Sequence, residues 1–180
     1  MKVYEAMARA FADEGTDTLF SLMGDANMYW MSTLVDLAQV DNVHARHENA
    51  AVAMADGYAR STGKVGVATV TSGPGLAQAM TAVVGAARYG SPVVLFAGDT
   101  MRGDTQALQY IDHQAFAKLC GVHCESVLSA EQSLDAVRRA FHRARTLRET
   151  VMLSVPMDIQ EREFPHEYEY EPSSALVGSE

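Results

Sequence analysis

The chain has 180 residues, 48% apolar and 21% charged, ordinary values for one soluble domain with a single core. Against 23 Asp and Glu stand 14 Lys and Arg, a formal charge of −9 with no basic stripe, which argues against nucleic acid as a partner. No run approaches the roughly 18 apolar residues of a membrane span, and Met1-Lys2-Val3-Tyr4-Glu5 lacks the shape of a signal peptide, so the cytoplasm is the expected location.

Val3, Ala6, Met7, Ala10 and Phe11 recur at the spacing of one apolar helix face, predicting a helix over 2–14 that Gly15 stops. Residues 18–23 form a short β-forming run, and Gly24-Asp25 turns it into a helix of about 26–39. Residues 43–46 read as a second strand. The Ala- and Met-rich stretch 47–61 reads as a buried helix ending at Gly63. Residues 65–70 show no polar alternation, as expected for a strand covered on both faces in a parallel sheet. Ser72-Gly73-Pro74-Gly75 leads into a helix of about 75–89, and 92–97 is another continuous apolar strand. The stretch 99–113 is irregular. A helix over 114–119, a strand over 122–128, a helix over 130–146 capped by Ser129, and a strand over 151–155 follow.

Strand and helix thus alternate, which predicts an α/β fold: a doubly wound six-stranded parallel sheet with helices on both faces, spanning 1–163. From Phe164 the pattern stops. Residues 164–180 read as an acidic linker or tail, with Glu161, Glu163, Glu167, Glu169 and Glu171 solvated and the chain leaving the domain.

In such sheets ligands bind at the carboxyl ends of the strands, which directs attention to the residues just after them. Arg46-His47-Glu48-Asn49-Ala50-Ala51 places a carboxylate in the first turn of an Ala-rich helix, where small neighbours admit a flat ligand. Apolar walls penalise its charged form and suit it to proton exchange; a first-turn Glu favoured by the helix dipole is the competing reading. The turn from Thr71 and Ser72 through Gly75 to Gln78 exposes backbone N–H groups, yet Gln78 stands where a dinucleotide fingerprint needs its third glycine. Plain strand-to-helix geometry explains that turn equally well. His44 and His47 flank Arg46, where structural or interface roles outweigh a metal pair. Cys120 and Cys124 read as free thiols near a strand, and Trp30 as core.

The ordered run His47-Glu48-Asn49-Ala50-Ala51-Val52-Ala53-Met54-Ala55-Asp56-Gly57-Tyr58-Ala59-Arg60, then Thr62-Gly63-Lys64, then Thr71-Ser72-Gly73-Pro74-Gly75, resembles the N-terminal domain of the acetolactate synthase, benzoylformate decarboxylase and pyruvate decarboxylase family. Ser91-Pro92-Val93-Val94-Leu95-Phe96-Ala97-Gly98-Asp99 and Leu153-Ser154-Val155-Pro156-Met157-Asp158-Ile159-Gln160 match it in order, so the resemblance covers roughly 1–165. It implies a domain that holds the aminopyrimidine of thiamine diphosphate, with Glu48 on the glutamate that hydrogen-bonds ring nitrogen N1′. It further implies a lyase or transferase acting on a small 2-oxo acid, and a homodimer or higher homo-oligomer through the helices after the second and third strands. Gly24 fits the family's Pro-Gly beside the pyrimidine, while Met23 departs from it. Gln78 falls where many members have Asn, and Thr71 and Ser72 line the same turn. Gln114, with His113 next to it, matches the family's Gln or His on the substrate side.

The resemblance also implies a partner domain or subunit that binds the diphosphate and Mg²⁺ through a Gly-Asp-Gly turn and a later Asn. Gly24-Asp25-Ala26 with Asn49 is a near-match, but Asn49 sits beside Glu48 inside the pyrimidine motif, so no metal ligand is assigned here. The chain alone is expected to be inactive. Three alternatives stand beside a first domain of a longer enzyme. One is a separate subunit of a sulfopyruvate- or phosphonopyruvate-type decarboxylase. Another is a non-catalytic binding domain of the same fold. The last is a nucleotide-binding protein that uses the Gly-Pro-Gly turn.

Overall fold

The computed structural model describes residues 1–38 and 40–176. In chain order the elements are α1 (Val3–Asp13), β1 (Thr18–Ser21), α2 (Met28–Ala38), β2 (Asp41–His44), α3 (Glu48–Thr62), β3 (Gly66–Val70), α4 (Pro74–Gln78) and α5 (Met80–Tyr89). They continue with β4 (Val93–Asp99), α6 (His113–Cys120), β5 (His123–Ser126), α7 (Ser133–Leu147), β6 (Thr150–Pro156) and α8 (Met157–Gln160), then a 3-10 turn over Ser173–Leu176.

The six strands are all parallel in the order β2-β1-β3-β4-β6-β5, so the predicted doubly wound α/β sheet is the observed one. The central strands β3, β4 and β6 are buried almost throughout, which is why their sequences lack alternation. The edge strand β2 is mostly exposed and correspondingly polar. One sheet face carries α1, α2 and α7 over an aromatic core: Trp30 stacks on Phe96 at 4.0 Å, and Phe11 meets Trp30 edge-on at 4.7 Å. Trp30 is therefore core. The other face carries α3, α5 and α6, whose Ala51, Ala55, Ala59, Val83, Ala86 and Phe116 pack on β3 and β4. Among the described residues no helix is long and apolar enough to cross a membrane.

Three expectations shift. The second strand lies two residues earlier than 43–46, because Ala45 and Arg46 are spent on the turn into α3, which His47 caps. The helix predicted over 75–89 is two, α4 and α5, joined at Ala79. Ser129 does not cap α7: that helix starts at Ser133 after a turn in which the Ser133 hydroxyl donates to the Ala130 carbonyl at 2.7 Å. The helix predicted over 26–39 reaches Ala38, and position 39 lies outside the described residues.

Past α8 the chain runs back over its own domain. The Phe164 N–H donates to the Met1 carbonyl at 2.8 Å, and the Val3 N–H to that of Arg162 at 2.9 Å. Along 167–171 the glutamates face water and the tyrosines face the protein, a period-two pattern of extended chain. The Tyr168 hydroxyl donates to Asp13 at 2.5 Å and the Tyr170 hydroxyl to Glu14 at 2.6 Å. Ser173, fully buried, donates to Glu14 through N–H at 2.9 Å and through its hydroxyl at 2.8 Å, and Arg145 pairs with the same carboxylate. Thus 164–176 is a strap docked on α1 and α7; residues 177–180 of the expected linker lie outside the described residues.

Candidate functional site

The His47 ring nitrogen Nδ1 accepts the Asn49 N–H at 3.1 Å, capping α3 and placing Glu48 first in the helix. Asn49 accepts the Ala82 N–H at 2.8 Å, which ties α3 to the first turn of α5 and commits that side chain to structure. Glu48 is half-buried and makes no hydrogen bond or ion pair among the described residues. Its Oε1 lies 3.5 Å from the place a Cβ on Gly75 would occupy. The carboxylate therefore faces the Gly-rich turn close to Gly75.

Thr71 is wedged between two glycines and fills the space their missing side chains leave. A Cβ on Gly24 would fall 2.5 Å from Thr71 Cβ, and one on Gly75 would fall 2.7 Å from Thr71 Cγ2. The Thr71 hydroxyl oxygen accepts the Ala26 N–H at 3.3 Å. Asn27, fully buried, fixes the turn that presents Met23 and Gly24: it accepts the Gly24 N–H at 2.8 Å and donates to the Leu22 carbonyl and the Thr69 hydroxyl, both at 3.0 Å. Asn27 was not singled out from the sequence, although a polar side chain three residues after a helix-start residue can accept that residue's N–H, as in a capping box. Met23 is 52% exposed and offers an apolar wall. Gln78 is exposed at the end of α4.

Ser72 is buried, and its hydroxyl donates to Gln109 Oε1 at 3.1 Å. Gly73, at φ 57°, lets the Gln109 backbone lie directly on the turn, since a Cβ there would fall 2.0 Å from the Gln109 carbonyl oxygen. Gln109 is thus the amide that meets the Gly-rich turn. Gln114 is not: it donates to the Ser126 hydroxyl at 2.8 Å, beside β5, the edge strand farthest from β2 and Glu48. Three glutamines, 106, 109 and 114, lie between β4 and β5, and spacing alone did not choose among them. Beyond Gln109 a cleft of about 430 Å³ opens between Asp25, Met101, Leu108 and Met157.

His113 is no surface histidine. Only 4% exposed, it turns inward: Nδ1 lies 2.8 Å from the Ser154 hydroxyl, and Nε2 faces Asp99 at 3.4 Å without a hydrogen bond. Burial pushes its imidazolium below the usual 6.5, against the opposing pull of Asp99 and Asp112. The structure therefore brings together Met23, Gly24, Glu48, Thr71 and Ser72, and leaves His113 and Gln114 outside that group. His44 stays on the β2 edge, 3.3 Å from the Asn42 amide. Cys120 and Cys124 are free, and burial pushes the Cys124 thiol up to about 11.

A six-stranded parallel sheet whose carboxyl end presents a carboxylate without a partner among the described residues belongs to the doubly wound class, in which ligands bind at that end. The family described as "Thiamine pyrophosphate enzyme, N-terminal TPP binding domain" matches residues 1–117, and the chain belongs to that family. The acetolactate synthase large subunit of Haemophilus influenzae is 35% identical over 169 residues, 92% of this chain and 30% of that protein. The acetolactate synthase isozyme 3 large subunit of Escherichia coli K12 is 34% identical over 158 residues, 86% of this chain and 28% of its own length. Among solved structures, the thiamine diphosphate-dependent 4-hydroxybenzoylformate decarboxylase of Rhodococcus jostii RHA1 superposes with a TM-score of 0.84 at 26% identity, covering 100% of this chain and 34% of that one. The chain thus spans about 30% of the length of the first of these curated relatives.

Proposed function

We propose that this domain holds the aminopyrimidine ring of thiamine diphosphate, with Glu48 hydrogen-bonded to ring nitrogen N1′. Together with a diphosphate-binding domain or subunit it forms a 2-oxo acid decarboxylase or carboligase of the acetolactate synthase kind. One observation carries this reading: the Glu48 carboxylate has no partner among the described residues and faces the Gly-rich turn, its Oε1 3.5 Å from where a Cβ on Gly75 would sit.

The residues fit a flat heterocycle. Gly75 lets the turn come close to Glu48, Thr71 fills the space beside Gly24 and Gly75, and Met23 supplies an apolar wall. Glu48 holds and moves the proton at the ring nitrogen. The Gln78 amide, exposed at the end of α4, serves the pyrimidine edge. Gln109, fixed by Ser72, takes the substrate-side place first read onto Gln114. When bound, the cofactor supplies the electron sink for cleaving the 2-oxo acid. Mg²⁺ and the diphosphate belong to the partner domain in this reading, consistent with Asn49 being spent on α5. A cytoplasmic homodimer through α3 and α5, and a domain over 1–163 with the strap folded back on it, complete the proposal.

The test is complementation. The chain is combined with a diphosphate-binding domain of a relative, thiamine diphosphate and Mg²⁺, and loss of 2-oxo acid is followed. Glu48→Gln is expected to lower turnover by about 100-fold or more. Full activity in that variant overturns the assignment.

A further inference from the structure

Loop 100–112 carries Gln109 at the site, and both of its feet meet one carboxylate. At the leading foot the Thr100 N–H donates to Asp99 Oδ1 at 2.7 Å. At the trailing foot Asp112 caps α6 by accepting the Ala115 N–H at 2.9 Å, and His113, the first helical residue, faces the same Asp99 Oδ1 at 3.4 Å. Ser154 on β6 closes the ring, 2.8 Å from His113 Nδ1 and donating to Asp99 Oδ2 at 3.3 Å. The Ser154 hydroxyl thus bridges His113 Nδ1 and the Asp99 carboxylate.

We propose that Asp99, His113 and Ser154 form a clasp that ties the two feet of loop 100–112 together and so positions Gln109 against Gly73 and Ser72. His113 is a positioning residue in this arrangement, not a catalytic one. As a statement about the cofactor site, the inference rests on the function proposed above.

The clasp responds to pH. The groups around the ring are Asp99 at the end of β4, Asp112 at the cap of α6 and the Ser154 hydroxyl on β6, with the Cys124 thiol on β5 uncharged through this range. Burial holds the folded imidazolium below the unfolded value of 6.5. Its contribution is therefore present above 6.5 and is lost as pH falls through the lower folded value.

The experiment is NMR and amide hydrogen exchange on the whole chain. In the wild type, the Gln109 side-chain amide is expected to shift with the same midpoint as the His113 ring. Ser154→Ala and His113→Asn are expected to speed exchange of the amides over 103–110 by about 10-fold while β3 amides keep their rates. Ser154→Ala is the decisive variant if His113→Asn fails to fold. Wild-type loop exchange in Ser154→Ala, or a Gln109 amide indifferent to the His113 titration, overturns the clasp. Either result leaves the Glu48→Gln outcome standing. Conversely, full activity in Glu48→Gln removes the cofactor reading without touching the exchange result.

Discussion

Two glutamates sit at opposite ends of the same sheet and are treated in opposite ways. Glu14, at the amino ends of the strands, has a fully buried side chain that accepts from Tyr170, Arg145 and both donors of Ser173. Glu48, at the carboxyl ends, is half-buried with no partner among the described residues. A saturated carboxylate contributes to stability and is unavailable to anything else. An unsaturated one adds little to stability and remains free for a ligand. The contrast separates structural from functional acid better than residue type or helix position does.

The largest expected effect is on the structural side. Glu14→Ala leaves Arg145 unpaired and the Ser173 N–H buried, and should cost about 3 kcal/mol of unfolding free energy, measured by urea denaturation. Glu48→Gln should change that free energy by no more than about 0.5 kcal/mol, while removing most activity in the complemented assembly. A Glu48 variant that unfolds the domain, or a Glu14 variant that leaves stability intact, would erase the distinction.

Gly75→Ala sharpens the comparison. Its Cβ would lie 2.7 Å from Thr71 Cγ2, so Thr71 must turn. The expected cost is about 1–2 kcal/mol in stability, with cofactor-dependent turnover falling further than that loss explains. Retained turnover would show that the ring does not lie against Gly75. The smallest effect is at the strap. Burial first, and the Glu14 carboxylate second, hold the Tyr170 hydroxyl above its ordinary 10. Its stabilising contribution is complete below 10 and declines as pH rises beyond it. Tyr170→Phe should flatten that alkaline loss in a pH series of melting temperatures; an unchanged slope would mean the strap adds nothing there.

Much of the fold and part of the site are legible in the sequence. The uninterrupted apolar runs at 65–70, 92–97 and 151–155 are the central strands because burial on both faces tolerates nothing else. Position 48 was identifiable because a strand, a cap and an Ala-rich helix follow one another locally. Gln109 and His113 were not, since what distinguishes them are partners 37 and 41 residues away. The strap was misjudged in direction for the same reason: Ser173 meets Glu14 across 159 residues.

Local order along the chain therefore determined the alternation of elements, the parallel sheet and the strand ends where ligands bind, because periodicity and turn chemistry act over a few residues. Only the tertiary structure decided which carboxylate is free, which glutamine reaches the Gly-rich turn and where His113 points. Those outcomes depend on hydrogen bonds closed between distant segments, and no short window of sequence contains both partners.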